Sequence, residues 1–306
     1  MSVQTFQLLI LGSSAATPTV NRNPTSQLLN IAERFFLIDC GEATQIQLRK
    51  YKLRFQSINH VFISHLHGDH FFGLPGFLAS MHLLGRKNEL TIFGPPALNE
   101  IITLIHKHSD TYLSYPINFV STQNKTKELL WEDDKVEVYS FPLQHRINTT
   151  GFLFKEKPLP KSIDKYKLEK YNVSFSEIHK LKLGFDAIDN NGIVIKNSDL
   201  TINPQAPRSY AFCSDTRFFE GLASDIKGVD LLYHESTFLQ DKEDRASQTY
   251  HSTSKQAANM AVLSDAKKLV LGHFSARYDD LTIFLNEAKP IFENTELAIE
   301  GKLFSI

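Results

Sequence analysis

Short apolar runs recur along the chain, and most end on a polar residue able to do chemistry. Phe6-Gln-Leu-Leu-Ile-Leu11 opens the series and runs into Gly12-Ser13-Ser14. Gln27–Ile31 and Phe35–Ile38 read as a strand pair, the second ending at Asp39-Cys40-Gly41-Glu42. Ile58–Ile63, Leu90–Phe93, Phe119-Val120, Val136–Leu143, Ser209–Cys213, Val229–Tyr233 and Lys268–Leu271 continue the pattern. Runs of about four to eight apolar, β-branched or aromatic residues between turn formers predict strands. The stretches between them predict helices over residues 43–52, 74–84, 97–108, 254–263 and 279–288, with Pro95 and Pro96 punctuating before the third. Alternation of strands and helices indicates an α/β fold.

One segment breaks the alternation. Residues 155–200 are rich in Lys, Asp and Asn, and Lys155, Lys157, Lys161, Lys165, Lys167, Lys170, Lys180 and Lys182 outnumber the acids among them. The expectation is a single domain over 1–306 with an inserted, flexible arm at about 155–200. Such an arm is either a solvated linker or a basic element that grips a polyanion.

Composition narrows the partners. With 306 residues and 42% hydrophobic content the chain can bury a large core. A formal net charge of -1 announces no nucleic acid, so any RNA site must be a local patch. Cys40 and Cys213 both close apolar runs, which suits small buried residues in a reducing compartment and not a disulfide framework. The start shows no basic leader, and Phe6–Leu11 is too short to span a membrane. A soluble cytoplasmic protein is expected.

The chemistry lies in His65-Leu-His67-Gly-Asp69-His70, which places four ligand-type side chains within six residues. In extended backbone residues two apart point the same way, so His65 and His67 can converge on one ion. Gly68 permits a sharp turn, after which Asp69 and His70 face a second point. A His-rich loop without metal is the bland alternative, but further ligands occur where they are needed. His145 follows Val136–Leu143, Asp215 follows Ser209–Cys213, and His273 follows Lys268–Leu271 through Gly272. Sites in layered α/β proteins form at that carboxyl edge. Five histidines and two aspartates suit two cations better than one, and a carboxylate such as Asp215 can bridge them. Nitrogen with some oxygen suits zinc, for which manganese or iron can substitute.

These motifs resemble the metallo-β-lactamase superfamily, and within it the tRNase Z (ribonuclease Z) family of tRNA 3′-processing endonucleases. The resemblance spans nearly the whole chain. It is carried by Gly12-Ser-Ser-Ala-Ala-Thr-Pro18, Asn21-Arg-Asn-Pro24, Asp39-Cys-Gly-Glu-Ala-Thr-Gln45 and Ser64–His70. Cys213-Ser-Asp-Thr-Arg217, His234-Glu-Ser-Thr237, His251-Ser-Thr253 and Gly272-His-Phe-Ser-Ala-Arg-Tyr278 complete it. It implies a four-layer αββα sandwich with a protruding basic arm, two zinc ions per subunit, a homodimer, and removal of 3′ trailers from precursor tRNA leaving a 3′-hydroxyl. It also implies that His65, His67 and His145 hold one zinc, that Asp69, His70 and His273 hold the other, and that Asp215 bridges. The arm departs from the family pattern, since Leu183-Gly184-Phe185 stands where a Gly-Pro element is usual.

Two such cations would activate water and neutralise a phosphodiester. Asp69 is the candidate proton acceptor. His251 is the candidate proton donor to the leaving oxygen, with Glu235 holding it protonated. Asp39 is expected to hydrogen-bond a ligand imidazole or a backbone turn. Arg22, Ser275 and Arg277 are candidates for phosphate contact, as are Lys161, Lys165 and Lys167 of the arm. His60, His82, His106, His108 and His179 are expected to be structural or at the surface. Two rivals remain at this level: a small-molecule hydrolase on the same scaffold, and an RNA-binding relative that has lost its metals.

Overall fold

The structure is a computed structural model describing residues 4–306. Residues 1–3, part of the stretch expected to lack a basic leader, lie outside the described residues. The chain forms two compact units, residues 4–155 with 208–306, and residues 156–207.

The larger unit is built on two seven-stranded sheets. The strands in chain order are β1 (Phe6–Gly12), β2 (Ser26–Ile31), β3 (Arg34–Cys40), β4 (Ile58–Phe62), β5 (Leu90–Gly94), β6 (Ile117–Ser121) and β7 (Glu128–Glu132). They continue as β8 (Val136–Leu143), β9 (Thr149–Glu156), β10 (Ser209–Cys213), β11 (Leu231–Glu235), β12 (Leu269–Gly272), β13 (Thr295–Leu297) and β14 (Leu303–Ser305). The first sheet runs β14-β1-β2-β3-β4-β5-β6 and the second β13-β12-β11-β10-β9-β8-β7. In each, the strands that deliver candidate site residues are parallel. Every residue of β10, β11 and β12 is buried, as expected for parallel strands covered on both faces.

The sheets face each other across an aromatic core. Phe62 lies 5.3 Å from both Phe152 and Phe154, and Phe36 lies 5.4 Å from Phe154, ring centre to ring centre. The helices α1 (Thr44–Lys50), α2 (Gly68–Phe71), α3 (Leu74–Leu83) and α4 (Ala97–His108) follow strands of the first sheet, and α5 (Ser254–Leu263) and α6 (Thr282–Ala288) those of the second. Phe77, Met81, Leu98 and Ile102 seal the outer face of the first sheet. Ala257, Ala261, Phe284 and Ala288 seal that of the second. The layers are therefore αββα.

Several elements differ from the sequence reading. The helix expected over 74–84 is α3, but α2 precedes it, so Asp69 and His70 sit on a short helix instead of a turn. Gly73 explains the break. Its N–H donates to the Cys40 carbonyl at 2.9 Å, and a Cβ there would collide with the Gly41 carbonyl oxygen. The strand expected over 229–233 is displaced to β11, which makes Glu235 its last residue. Strands β7, β9, β13 and β14 were not predicted. Gly73→Ala is expected to destabilise the protein by about 1–3 kcal/mol, because backbone must move to admit one methyl group. Thermal unfolding with matched metal content measures it.

Residues 156–207 have a small core of their own. Leu181, Ala187 and Leu200 are buried, with Ile163, Leu168, Tyr171, Val173 and Ile195 packed on them. Asn197 organises this core, its Nδ2 donating to the carbonyls of Leu181 at 2.8 Å and Phe185 at 3.0 Å. Lys161 donates to Asn197 Oδ1 at 2.9 Å, and Lys167 lies 3.9 Å from Asp164. Eight lysines meet seven acidic residues within 156–207, so the lysine excess is confined to its first half.

Candidate metal centre

The carboxyl ends of β3, β4, β8, β10 and β12 deliver Asp39, His65, His145, Asp215 and His273, and α2 adds Asp69 and His70. The structure brings all seven expected ligands together in two groups.

In the first group His67 Nδ1 lies 3.0 Å from His65 Nε2 and 3.2 Å from His145 Nε2. Asp215 Oδ2 lies 3.5 Å from the first of those Nε2 atoms and 3.6 Å from the second. In the second group Asp69 Oδ2 lies 3.3 Å from His70 Nε2 and 3.4 Å from His273 Nε2. Asp215 Oδ1 completes it at 3.2 and 3.0 Å from the same nitrogens. A tetrahedron with zinc–nitrogen arms near 2.0–2.1 Å has edges of about 3.3–3.4 Å. The contacts given above lie near that length, and the two oxygens of Asp215 divide between the groups.

The outer hydrogen bonds set the protons to suit cations. The Tyr250 carbonyl can only accept, so His145 Nδ1 donates to it at 3.0 Å. His70 Nδ1 lies 2.6 Å from Asp39 Oδ2. Ser64 Oγ donates to Asp39 Oδ2 at 2.9 Å and so accepts from His65 Nδ1 at 3.0 Å. Thr237 Oγ1 donates to Glu235 Oε2 at 2.7 Å and so accepts from His273 Nδ1 at 2.9 Å. Four imidazoles are thereby left with a bare Nε2 turned inward. Among the described residues nothing hydrogen-bonds the buried Nε2 atoms of His70 and His273, which suits atoms turned toward a cation.

The electrostatics agree. Burial, then the charge of His70, lowers the His65 pKa to about 3 and keeps it neutral. Burial alone would also lower His70, but the Asp215, Asp69 and Asp39 carboxylates outweigh it and raise that pKa. The same three carboxylates supply the negative field that a cation at this position would meet. Asp69 is held well below the usual carboxylate range, since His70 and His273 overcome the cost of its burial.

Backbone strain gathers here as well. Ala16, Asp39, Asp215, Tyr250 and His273 have φ of 60°, 54°, 39°, 59° and 57°. Each touches the centre: the Ala16 N–H donates to Asp69 Oδ2 at 2.7 Å, and the others are described above. Left-handed non-glycine residues persist where the surroundings over-determine them, and they cluster at functional sites.

Beside the second group, His251 Nδ1 lies 2.8 Å from Glu235 Oε1. Burial would lower the His251 pKa, but the charge and hydrogen bond of Glu235, with Asp215 and Asp69, raise it to about 9. A nitrogen of His251 also falls within 4.8 Å of Asp215 and His273. With Nδ1 committed to Glu235 and its pKa raised, it suits an acid better than a ligand. Glu235 is fully buried and also accepts from the Thr216 and Thr237 N–H groups, each at 3.0 Å.

An open cavity of about 510 Å³ lies over this centre. Ser275 and Arg277 line it, and the Arg277 guanidinium sits 5.2 Å from the centre of the Phe238 ring. Arg22 stands behind them, donating from Nη2 to the Ser275 carbonyl at 3.3 Å. Lys161, Lys165 and Lys167 belong to the 156–207 unit. His234 is buried with Nδ1 2.7 Å from the Glu235 carbonyl oxygen, outside both groups. Cys40 and Cys213 are free and buried. Sequence reasoning missed Ser64, Thr237, the Tyr250 carbonyl, and the cavity residues Glu42, Phe72 and Arg146. Ser64 and Thr237 lie in or beside quoted motifs, so proximity to a ligand histidine was the available signal. A backbone carbonyl leaves none.

The family described as Anti-Pycsar protein Apyc1 matches residues 6–104, which reach none of His145, Asp215 or His273. The ribonuclease Z of Cytophaga hutchinsonii is 50% identical over 302 residues, covering 98% of this chain and 96% of that protein. The chain belongs to the ribonuclease Z family. Among solved structures, human tRNase Z, short form, has a TM-score of 0.71 at 27% identity and covers 98% of this chain and 99% of that one. YhfI from Bacillus subtilis, a metallo-β-lactamase fold protein, has a TM-score of 0.69 at 16% identity, covering 99% of this chain and 100% of that one. The latter shows the shared fold alone, which is the αββα sandwich described above. The contact with His70 gives Asp39 a checkable role. Asp39→Asn should weaken the second metal group by about 10–100-fold, the usual cost of losing an outer partner. Competition with a chelator of known affinity measures this for both groups, because Asp39 also reaches His65 through Ser64.

Proposed function

We propose that the chain is a metal-dependent endoribonuclease that removes 3′ trailers from precursor tRNA and leaves a 3′-hydroxyl. The observation that carries this reading is the pairing of two clusters of metal-ligand side chains with the His251–Glu235 hydrogen bond at the edge of one open cavity. The family relationship supports the substrate class. His65, His67 and His145 would hold one zinc, Asp69, His70 and His273 the other, and Asp215 both, with manganese or iron able to substitute. Bound there, the cations acidify water and neutralise phosphate charge.

The protein's own residues do the rest. Asp69 orients the attacking water and accepts its proton, though a carboxylate held so firmly ionised is a weak base, so orientation is its larger contribution. Water oxygen bonds to phosphorus as the bond from phosphorus to the 3′ oxygen breaks. That oxygen takes its proton from His251, and the trailer keeps the 5′ phosphate. Ser275 and Arg277 contact phosphate, with Arg22 fixing the loop they share. A 3′-extended precursor tRNA should be cut once, at its 3′ side, and end-mapping of the products tests this. An uncut precursor, with small phosphodiesters hydrolysed, would favour a small-molecule enzyme.

Lys161, Lys165 and Lys167 are assigned to remote contact with the tRNA backbone. Each phosphate contact removed should flatten the logarithmic salt slope of binding by about 0.7–0.9. Replacing all three by Ala should therefore weaken binding and lower the slope by about two, with bis(p-nitrophenyl) phosphate hydrolysis retained. Unchanged tRNA affinity would make the segment a linker. A homodimer in the cytoplasm completes the reading, and a sedimentation mass of two chains tests the assembly. No described helix is long and apolar enough to cross a membrane.

A further inference from the structure

Two residues of the cavity wall have no part in the chemistry above. Phe72 directly follows α2, yet its side chain is 60% exposed and lines the cavity. Its ring lies across Gly68, where a Cβ would collide with it. Glu42 lines the same cavity, and its Oε2 is shielded from solvent but has no hydrogen-bond partner. The two are brought together by their neighbours. A Cβ on Gly41 would meet the Asp69 carbonyl oxygen, and one on Gly73 would meet the Gly41 carbonyl oxygen. Glu42 is thus one residue from the backbone that carries Asp69, and Phe72 is one residue from the same contact.

A shielded carboxylate oxygen without a donor is costly, and native structures rarely leave one. A phosphate oxygen cannot satisfy it, because it brings no donor. A substrate group that satisfies it must carry a donor, and it would lie in the cavity that Glu42 shares with Asp69. The nearest such group in RNA is the 2′-hydroxyl, on the carbon next to the one that bears the leaving 3′ oxygen. That hydroxyl is also what distinguishes RNA from DNA at a given site. An exposed aromatic ring beside it offers a face for the adjoining base, and such stacking tolerates any sequence.

We propose that Glu42 accepts a hydrogen bond from the 2′-hydroxyl of the nucleotide whose 3′ oxygen leaves, while Phe72 stacks against a flanking base. The pair makes the site selective for ribonucleotides without reading sequence. This rests on the endoribonuclease reading above.

The test uses precursor tRNAs with a single 2′-fluoro nucleotide at that position. Fluorine keeps the electron withdrawal of the hydroxyl but cannot donate. The wild-type holoenzyme should cut the 2′-fluoro precursor about 10-fold more slowly than the all-ribo one, the usual cost of one lost hydrogen bond. Glu42→Ala should cut the all-ribo precursor at that lower rate and show no further loss with fluorine. Its hydrolysis of bis(p-nitrophenyl) phosphate, which has no ribose, should be unchanged. Phe72→Ala should raise KM about 5–10-fold on both precursors, and Phe72→Tyr should restore it. Equal wild-type rates on the two precursors, or full fluorine sensitivity in Glu42→Ala, would overturn the assignment. Failure of the wild type to cut even the all-ribo precursor would instead overturn the underlying reading.

Discussion

Asp215→Ala protein is expected to lose metal from both groups and to cut precursor tRNA at least about 10³-fold more slowly, beyond the 10–100-fold that outer partners cost. The reason is geometric. Oδ2 of Asp215 lies 3.5 and 3.6 Å from the nitrogens of one group, and Oδ1 lies 3.2 and 3.0 Å from those of the other. No other described side chain serves both. His67→Ala should strip the first group and spare the second. The difference separates a bridging residue from an ordinary ligand. Metal analysis of the purified variants, beside cleavage rates, tests the pair. Full occupancy with normal cleavage in Asp215→Ala would remove the bridging assignment.

His251→Ala should slow cleavage by about 10²–10⁴-fold, the range for a lost general acid, without loss of metal. A substrate with a much better leaving group should be far less affected. Equal damage on both would point to binding or folding. Glu235 needs a gentler change. Its carboxylate also holds two backbone N–H groups and Thr237, and Thr237 holds His273. Glu235→Ala would leave those donors unsatisfied in the core, so Glu235→Gln is the informative variant. The sign of its pH effect follows from the charge it removes. His251 acts as an acid below its pKa, which Glu235 raises to about 9 in the metal-free chain. Activity should therefore fall on the alkaline side, and Glu235→Gln should move that limb toward lower pH. Bound cations lower the limb further in both proteins, so the direction of the displacement is the readout. An unmoved limb would separate Glu235 from proton transfer.

The cluster of candidate ligands was legible because its spacing and chemistry are local or repeated. His65, His67, Asp69 and His70 crowd one loop, and His145, Asp215 and His273 each follow a strand at the same sheet edge. Parallel strands announce themselves as continuous apolar runs, which is why β10 and β12 were placed within a residue or two. Strand β7 was hidden because its Leu-Leu-Trp centre is short and flanked by glutamates at an exposed edge. Strand β9 was hidden because it runs directly into the lysine-rich segment at Lys155. The small core of residues 156–207 was hidden for another reason. Its strands span two residues each, too few to show a period. The outer partners of the histidines are set by tertiary contact. Ser64 lies next to His65 in sequence, but Thr237 reaches His273 from 36 residues away.

Titration of chelated protein with zinc, with cleavage of a 3′-extended precursor tRNA followed at each step, tests the two-cation endonuclease most directly. Activity is expected to be absent without metal and to reach its plateau at two equivalents per chain. Full activity at one equivalent, or cleavage by the metal-free protein, would contradict it.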